Sequence, residues 1–244
     1  MVQQASPTDT YTEPDNTAYS EPDITTCTEP DISNLVTEDD TPVDNWSSAK
    51  HQRFLVNCLY SSRQSRTFLA ESNIGIFHTV KQPPIVPDVF LSLDVTVPDN
   101  WWEKKNRSYL LWEFGKPPEV VIEIVSNKEG EELGNKLRIY SRMRVWYYVV
   151  FDPSLQLGDS VLRVYELRGM RYVEKTDNWL EEVELGLTLW SGEFEGRQDM
   201  WLRWCDRDGN ILLTGDERAT LAEQRAQLLA EQLRKLGVEP DTLS

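Results

Sequence analysis

Hydrophobic positions are sparse and aperiodic from Met1 to about Asp44 and become patterned only after it. In NWSSAKHQRFLVNCLYSS, Phe54, Leu55, Cys58 and Leu59 fall on one face at helical spacing, with Ser47 or Ser48 placed to cap the helix. Ile74, Ile76 and Val80 in TFLAESNIGIFHTV, and the run PPIVPDVFLSLDV, read as strands, with the polar loop DNWWEKKNRSYLLWEFGK after them. PPEVVIEIVS is the clearest strand of the chain. Ser126 or Asn127 then caps a helix in which Leu133, Leu137 and Tyr140 recur at helical spacing, and Arg138, Arg142 and Arg144 complement its C-terminal dipole. VWYYVVFDP is a strand stopped by Asp152-Pro153, and a strand, helix, strand unit of this kind favours parallel pairing.

Beyond Pro153 the pattern turns to hairpins: SVLRVYEL and MRYVEK around Arg168-Gly169, then LGLTLW, WLRWCD and, after Asp208-Gly209-Asn210, ILLTG. A last helix runs from about Asp216 to Leu236, ended by Gly237 and Pro240, with Ala219, Ala222, Ala226, Leu229, Leu233 and Leu236 as its apolar stripe. That stripe suits either a short coiled coil, and so a homo-oligomer, or packing on the domain. The expected organisation is an acidic tail over residues 1–44, one folded domain over 45–213 and a C-terminal helix over 214–244.

Charge changes the picture of the tail first. The net charge is −16, yet eleven acidic residues and no Lys or Arg lie before Lys50, which leaves the remainder near −5. Glu-Pro-Asp returns every eighth residue at Glu13, Glu21 and Glu29, too short a period for a solenoid unit, and the segment has too few large apolar groups to offset the entropy of ordering. Overall acidity argues against broad, unselective binding of nucleic acid. Cys27, Cys58 and Cys205 form neither a disulfide framework nor a zinc motif. No apolar run is long enough to span a bilayer and no signal peptide is apparent, so a reducing, cytoplasmic location without membrane contact is expected.

Candidate chemistry begins with Glu123. On a strand it shares its face with Val121 and Val125, while Val120, Ile122 and Ile124 line the other. Both faces are apolar, so an unpaired carboxylate would cost several kcal/mol (about 3 or more) and Glu123 needs a basic side chain or a cation. Lys136, one turn from Leu133 and Tyr140, can run its stem back to the strand. Asp88, preceded by Pro87, is a second carboxylate among strand residues. Two acids and a lysine suit a magnesium site; a buried Glu123–Lys136 salt bridge with Asp88 in a surface turn is the other reading.

The order Pro87-Asp88, Glu123-Ile124-Val125-Ser126, Asn135-Lys136-Leu137-Arg138-Ile139-Tyr140 and Phe151-Asp152-Pro153 resembles the Uma-two-type endonucleases of the PD-(D/E)XK, restriction-endonuclease-like superfamily. The resemblance covers roughly Trp46 to Pro153 and continues loosely through the hairpins. It implies an α/β fold with a central mixed β-sheet flanked by helices, here with added C-terminal β-hairpins and a terminal helix. It further implies Asp88 and Glu123 as ligands of Mg2+ or Mn2+, with the carbonyl of Ile124, and Lys136 as the catalytic lysine of a metal-dependent endonuclease acting on DNA.

Two departures accompany it. Val125 stands where the superfamily usually places its lysine, and the first helix offers Ser47-Ser48-Ala49-Lys50-His51-Gln52 with no acid. His51 or Gln52 can point toward the site or into solvent, and His78 sits in a strand-like run. Lys128, in a polar loop, is the rival lysine; Asp94 and Asp152 are further acids near strand ends, Asp152 suited to a turn with Pro153. The competing function is a nuclease-fold binding or regulatory module without catalysis.

Overall fold

In the computed structural model, the side chain of Asn45 accepts the N–H of Ser48 and starts α1 (Trp46–Ser62). The cap is therefore Asn45, and not Ser47 or Ser48: the helix starts at Trp46, so both serines already lie inside its first turn and the Ser48 N–H is one of the orphan amides that the cap serves. The structure describes residues 45–63, 66–126 and 131–237. The expected acidic tail, the rival Lys128, the alternative cap Asn127 and Pro240 lie outside the described residues.

The strands that follow are β1 (Phe68–Ser72), β2 (Ile76–Phe77), β3 (Val89–Leu93), β4 (Tyr109–Leu110) and β5 (Val120–Ile124). The stretch expected as one strand around Ile74 and Val80 breaks because Asn73 takes a left-handed backbone, φ 55°, between β1 and β2. The expected polar loop carries β4 and the single turn α2 (Leu111–Phe114), ended by Gly115 at φ 72°. After β5 come α3 (Leu137–Met143) and β6 (Tyr147–Phe151), then β7 (Leu162–Arg168), β8 (Arg171–Glu174), β9 (Trp179–Leu180), β10 (Leu185–Phe194), β11 (Arg197–Cys205) and α4 (Gly215–Lys235). ILLTG adds only a bridge between Cys205 and Ile211 rather than a strand.

The main sheet has the order β1-β3-β5-β6-β7-β8, with β5 and β6 parallel and every other pair antiparallel. This is the mixed sheet expected, and the parallel pair is the crossover read from the sequence. A second sheet runs β11-β10-β9, and β2 pairs with β4. Alternation along β5 divides two cores. Val120, Ile122 and Ile124 join Phe54, Leu55 and Leu59 of α1 and Trp201 and Trp204 of β11. Val121 and Val125 join Phe90, Tyr109, Tyr140 and Tyr148 on the opposite face. Phe54, Leu55 and Leu59 are almost wholly buried, and each stabilises the contact by about 2 kcal/mol.

Candidate active site

Glu123 points from β5 into the second core with 1% of its surface exposed. Its two oxygens are held separately: Tyr140 Oη donates to Oε1 at 2.8 Å and Lys136 Nζ donates to Oε2 at 2.9 Å. Tyr140 stands one helical turn after Lys136, so both project from the same side of the segment that returns over the sheet. The entry to that segment differs from the expected capped helix. Glu131 is left-handed at φ 53°, and residues Glu132–Lys136 form a π-helical turn before α3 begins. This wider turn sets Glu132 beside Lys136, with Oε1 3.5 Å from the ammonium, and Tyr148 Oη donates to the Glu132 carbonyl at 2.9 Å. Glu132 Oε2 is buried without a hydrogen-bond partner.

Asp88 reaches the same face by register. Val89 pairs with Ile122 and Phe90 with Val121, so one step back along β3 sets Asp88 opposite Glu123, where cross-strand neighbours stand about 5 Å apart at Cβ. Asp88 Oδ2 accepts the N–H of Ile124 at 2.7 Å, and Gln52 Nε2 of α1 donates to Oδ1 at 2.8 Å. Asn73 Nδ2 in turn donates to Gln52 Oε1 at 3.0 Å. Of the two α1 side chains open at the sequence level, Gln52 is the one that meets Asp88. His51 contacts the Ser47 carbonyl through Nδ1 at 2.8 Å, and its ring lies against Phe151 and Trp201 beside a cavity of about 280 Å3 that Ile124 also lines.

The electrostatics follow from this burial. Desolvation pushes the Glu123 carboxyl up to about 7, with the nearby Asp88 carboxylate adding to the rise and the Lys136 ammonium opposing it. Burial also works to lower Lys136, but the carboxylates of Glu123 and then Glu132 outweigh it and hold the ammonium above its ordinary value. Tyr140 is driven well above the usual phenol range by burial and by Glu123, so it stays a donor.

Among the described residues no group of three His, Cys, Asp or Glu side chains can hold a metal by itself. The groups able to bind a hard cation here are the Asp88 and Glu123 carboxylates and a backbone carbonyl such as that of Ile124. Two like charges facing each other, one of them raised by the other, are what a divalent cation relieves, so the donor set fits magnesium, which binds through few carboxylates and keeps several waters. The other acids and the remaining histidine lie elsewhere. Asp94 pairs with Arg66 at 2.6 Å; buried Asp152 accepts the N–H groups of Gln156 and Leu157 in a turn; His78 follows β2. Sequence reasoning missed Tyr140, Asn73 and Glu132. The spacing of four between Lys136 and Tyr140 is the one local signal that could have found Tyr140.

Among solved structures, the chain is similar to one described as "a putative nuclease belonging to DUF820 from Anabaena variabilis ATCC 29413". The two are 14% identical, the likeness covers 57% of this chain and 73% of that one, and they superpose with a TM-score of 0.39. No curated protein matches. The family model of Uma2, described as "Putative restriction endonuclease", matches residues 36–191. That match begins ahead of α1 and ends within β10, taking in the whole six-stranded sheet, and the chain belongs to the Uma2 family.

Proposed function

We propose that the chain is a metal-dependent endonuclease that hydrolyses DNA phosphodiester bonds. The reading is carried by one observation: Lys136 comes back from the π turn to within 2.9 Å of Glu123, on the strand face where the register brings Asp88 opposite. Asp88 and Glu123 would hold Mg2+ or Mn2+ with the Ile124 carbonyl. When bound, the cation supplies a water of lowered pKa and neutralises charge on the phosphate. Gln52 and the Ile124 amide hold Asp88 in one orientation, and Tyr140 does the same for Glu123. Lys136 is about one quarter exposed, at 27%, and a lysine carries three N–H donors, so it can serve a phosphate oxygen or an incoming water while still bound to Glu123.

A second reading, a binding module without catalysis, draws on Gln52, which occupies the place beside Asp88 where a third acid would add a ligand. Supercoiled plasmid incubated with the full chain and magnesium separates the two. The endonuclease nicks it, Asp88→Ala and Lys136→Met each lose at least about a hundredfold in rate, and chelation stops the reaction. Nicking by Asp88→Ala at the parent rate sinks the assignment. No nicking by the parent, with no rise in melting temperature on adding magnesium, favours the binding module.

A further inference from the structure

The sheet face that carries Asp88 and Glu123 continues into a cavity of about 430 Å3 that the chemistry above does not use. Its floor is Leu69, Phe90 and Tyr109, and Phe114 stacks on Tyr109 at 4.2 Å with the rings nearly parallel. The Tyr109 hydroxyl is already spent on Ser92 and the Lys116 carbonyl, so this residue offers the cavity ring surface alone. At the mouth stand Trp101 and Trp102, 56% and 79% exposed, on a loop whose course is tied by Arg107 donating to the Trp102 carbonyl and Asn106 to the Asn100 carbonyl. Two large aromatic groups left in water at the rim of an aromatic cavity are costly unless something stacks on them.

Three further observations say what that something is. Phe90 follows Asp88 by two residues on β3, so the cavity floor begins about 7 Å from the acid, a reach comparable to that from a phosphate across its sugar to the base. The rim loop carries Lys104, Lys105 and Arg107 against Asp99 and Glu103, with Lys105 also 3.9 Å from Glu113, and Arg107 is the cation that lines the cavity itself, where it complements a polyanion. Glu71, paired with Phe90 across β1 and β3, sets the one carboxyl in a mainly apolar lining whose other polar members are Asn106, Arg107 and Ser108. Burial raises that carboxyl above its ordinary value, a mark of thin hydration, and hydrogen bonds strengthen in such surroundings.

We propose that this cavity receives one nucleobase, unstacked from the strand whose phosphodiester is held at Asp88 and Glu123, with Trp101 and Trp102 stacking on it and Glu71 accepting a hydrogen bond from its exocyclic amine. The inference rests on the endonuclease reading and deepens it, because a base can enter only from a single strand or a locally unpaired duplex. Glu71 makes the cavity favour cytosine or adenine over thymine, which has no amine to give.

The test measures anisotropy of labelled oligo-dC, oligo-dT and a duplex with the full chain in chelator, where no cleavage intervenes. The parent binds oligo-dC more tightly than oligo-dT and either more tightly than duplex. Trp101→Ala and Trp102→Ala each weaken single-strand binding about tenfold, with the melting temperature unchanged because both side chains are largely exposed. Glu71→Ala, which removes the acceptor, abolishes the dC preference and leaves dT binding as it was. Tryptophan variants that bind like the parent overturn the proposal. So does a cavity that holds the apolar dye ANS against excess oligonucleotide, which would mark it as a site for an apolar ligand. Cleavage assayed beside binding keeps the two readings apart. Retained cleavage in Asp88→Ala sinks the assignment of the endonuclease site, while a tryptophan-dependent single-strand preference would still support the base pocket. Lost cleavage in Asp88→Ala with unaltered binding in the tryptophan variants removes the pocket alone.

Discussion

At Glu123 the cost of burial and the gain from its partners nearly balance, and pH tips that balance. In the metal-free chain its carboxyl is pushed up to about 7, above the ordinary value of 4.5. A raised folded-state value means that the protonated form suits the fold. The contribution is therefore fully present below about 4.5 and is lost as the pH rises through about 7. Glu123→Gln keeps an amide of the same shape and removes the titration. In chelator, urea unfolding at pH 5 and pH 8 should show the parent losing on the order of 2 kcal/mol relative to Glu123→Gln over that interval. Parallel stabilities at the two pH values would mean that Glu123 is not desolvated as its 1% exposure indicates.

Helix α4 poses the corresponding question for an element. Thr214 and Glu217 form a reciprocal capping box at its start, and Glu217 also grips Arg203 with both oxygens, at 2.8 and 2.6 Å. Arg203 is wholly buried between the rings of Phe54 and Trp190, 4.7 Å from each centroid, with its charge answered by Glu217. No residue of α4 is buried, and Leu228 and Leu229 are each 60% exposed, so the apolar stripe does not pack on the domain as one sequence-level option had it. Glu217→Ala should cost about 3 kcal/mol in denaturant unfolding, because it strands a buried guanidinium, whereas Leu229→Ala should stay within about 0.5 kcal/mol. A large loss in Leu229→Ala would reveal a partner for the stripe. The same element marks what a sequence can carry. Its length and its glycine stop are local and were legible; its Thr214 cap, though local, was not read, and its lack of cover was not legible. Glu123 was conspicuous because alternation on β5 is local, and the reach of Lys136 followed from spacing. Asp88 opposite Glu123 depends on antiparallel register, Gln52 against Asp88 depends on how α1 lies on the sheet, and the π turn breaks the period from which helices are read. None of these three leaves a trace in a short window.

For the molecule as a whole, the charge distribution sets how it meets a polyanion. Residues 1–44 hold eleven acidic side chains and no basic one, out of a net charge of −16. The described part is near neutrality by comparison; among its basic groups Arg107 lines the cavity, on the loop that also carries Lys104 and Lys105, and Lys136 stands at the candidate active site, where the proposed endonuclease reading needs a phosphate. Local attraction and long-range repulsion therefore oppose each other in one chain, and they differ in range: charges more than a Debye length from the DNA, about 10 Å at 0.1 M salt, are screened while contacts at the site are not. Deleting residues 1–44 should raise the association rate with single-stranded DNA on the order of tenfold at low salt. The gain should collapse toward parity as salt is added, with the dissociation rate little changed if the segment acts through its charge alone. Stopped-flow binding over a salt series measures this. A gain that persisted at high salt would place the acidic segment in direct competition for the DNA site, and an association rate unmoved at low salt would mean that its charge is not felt there.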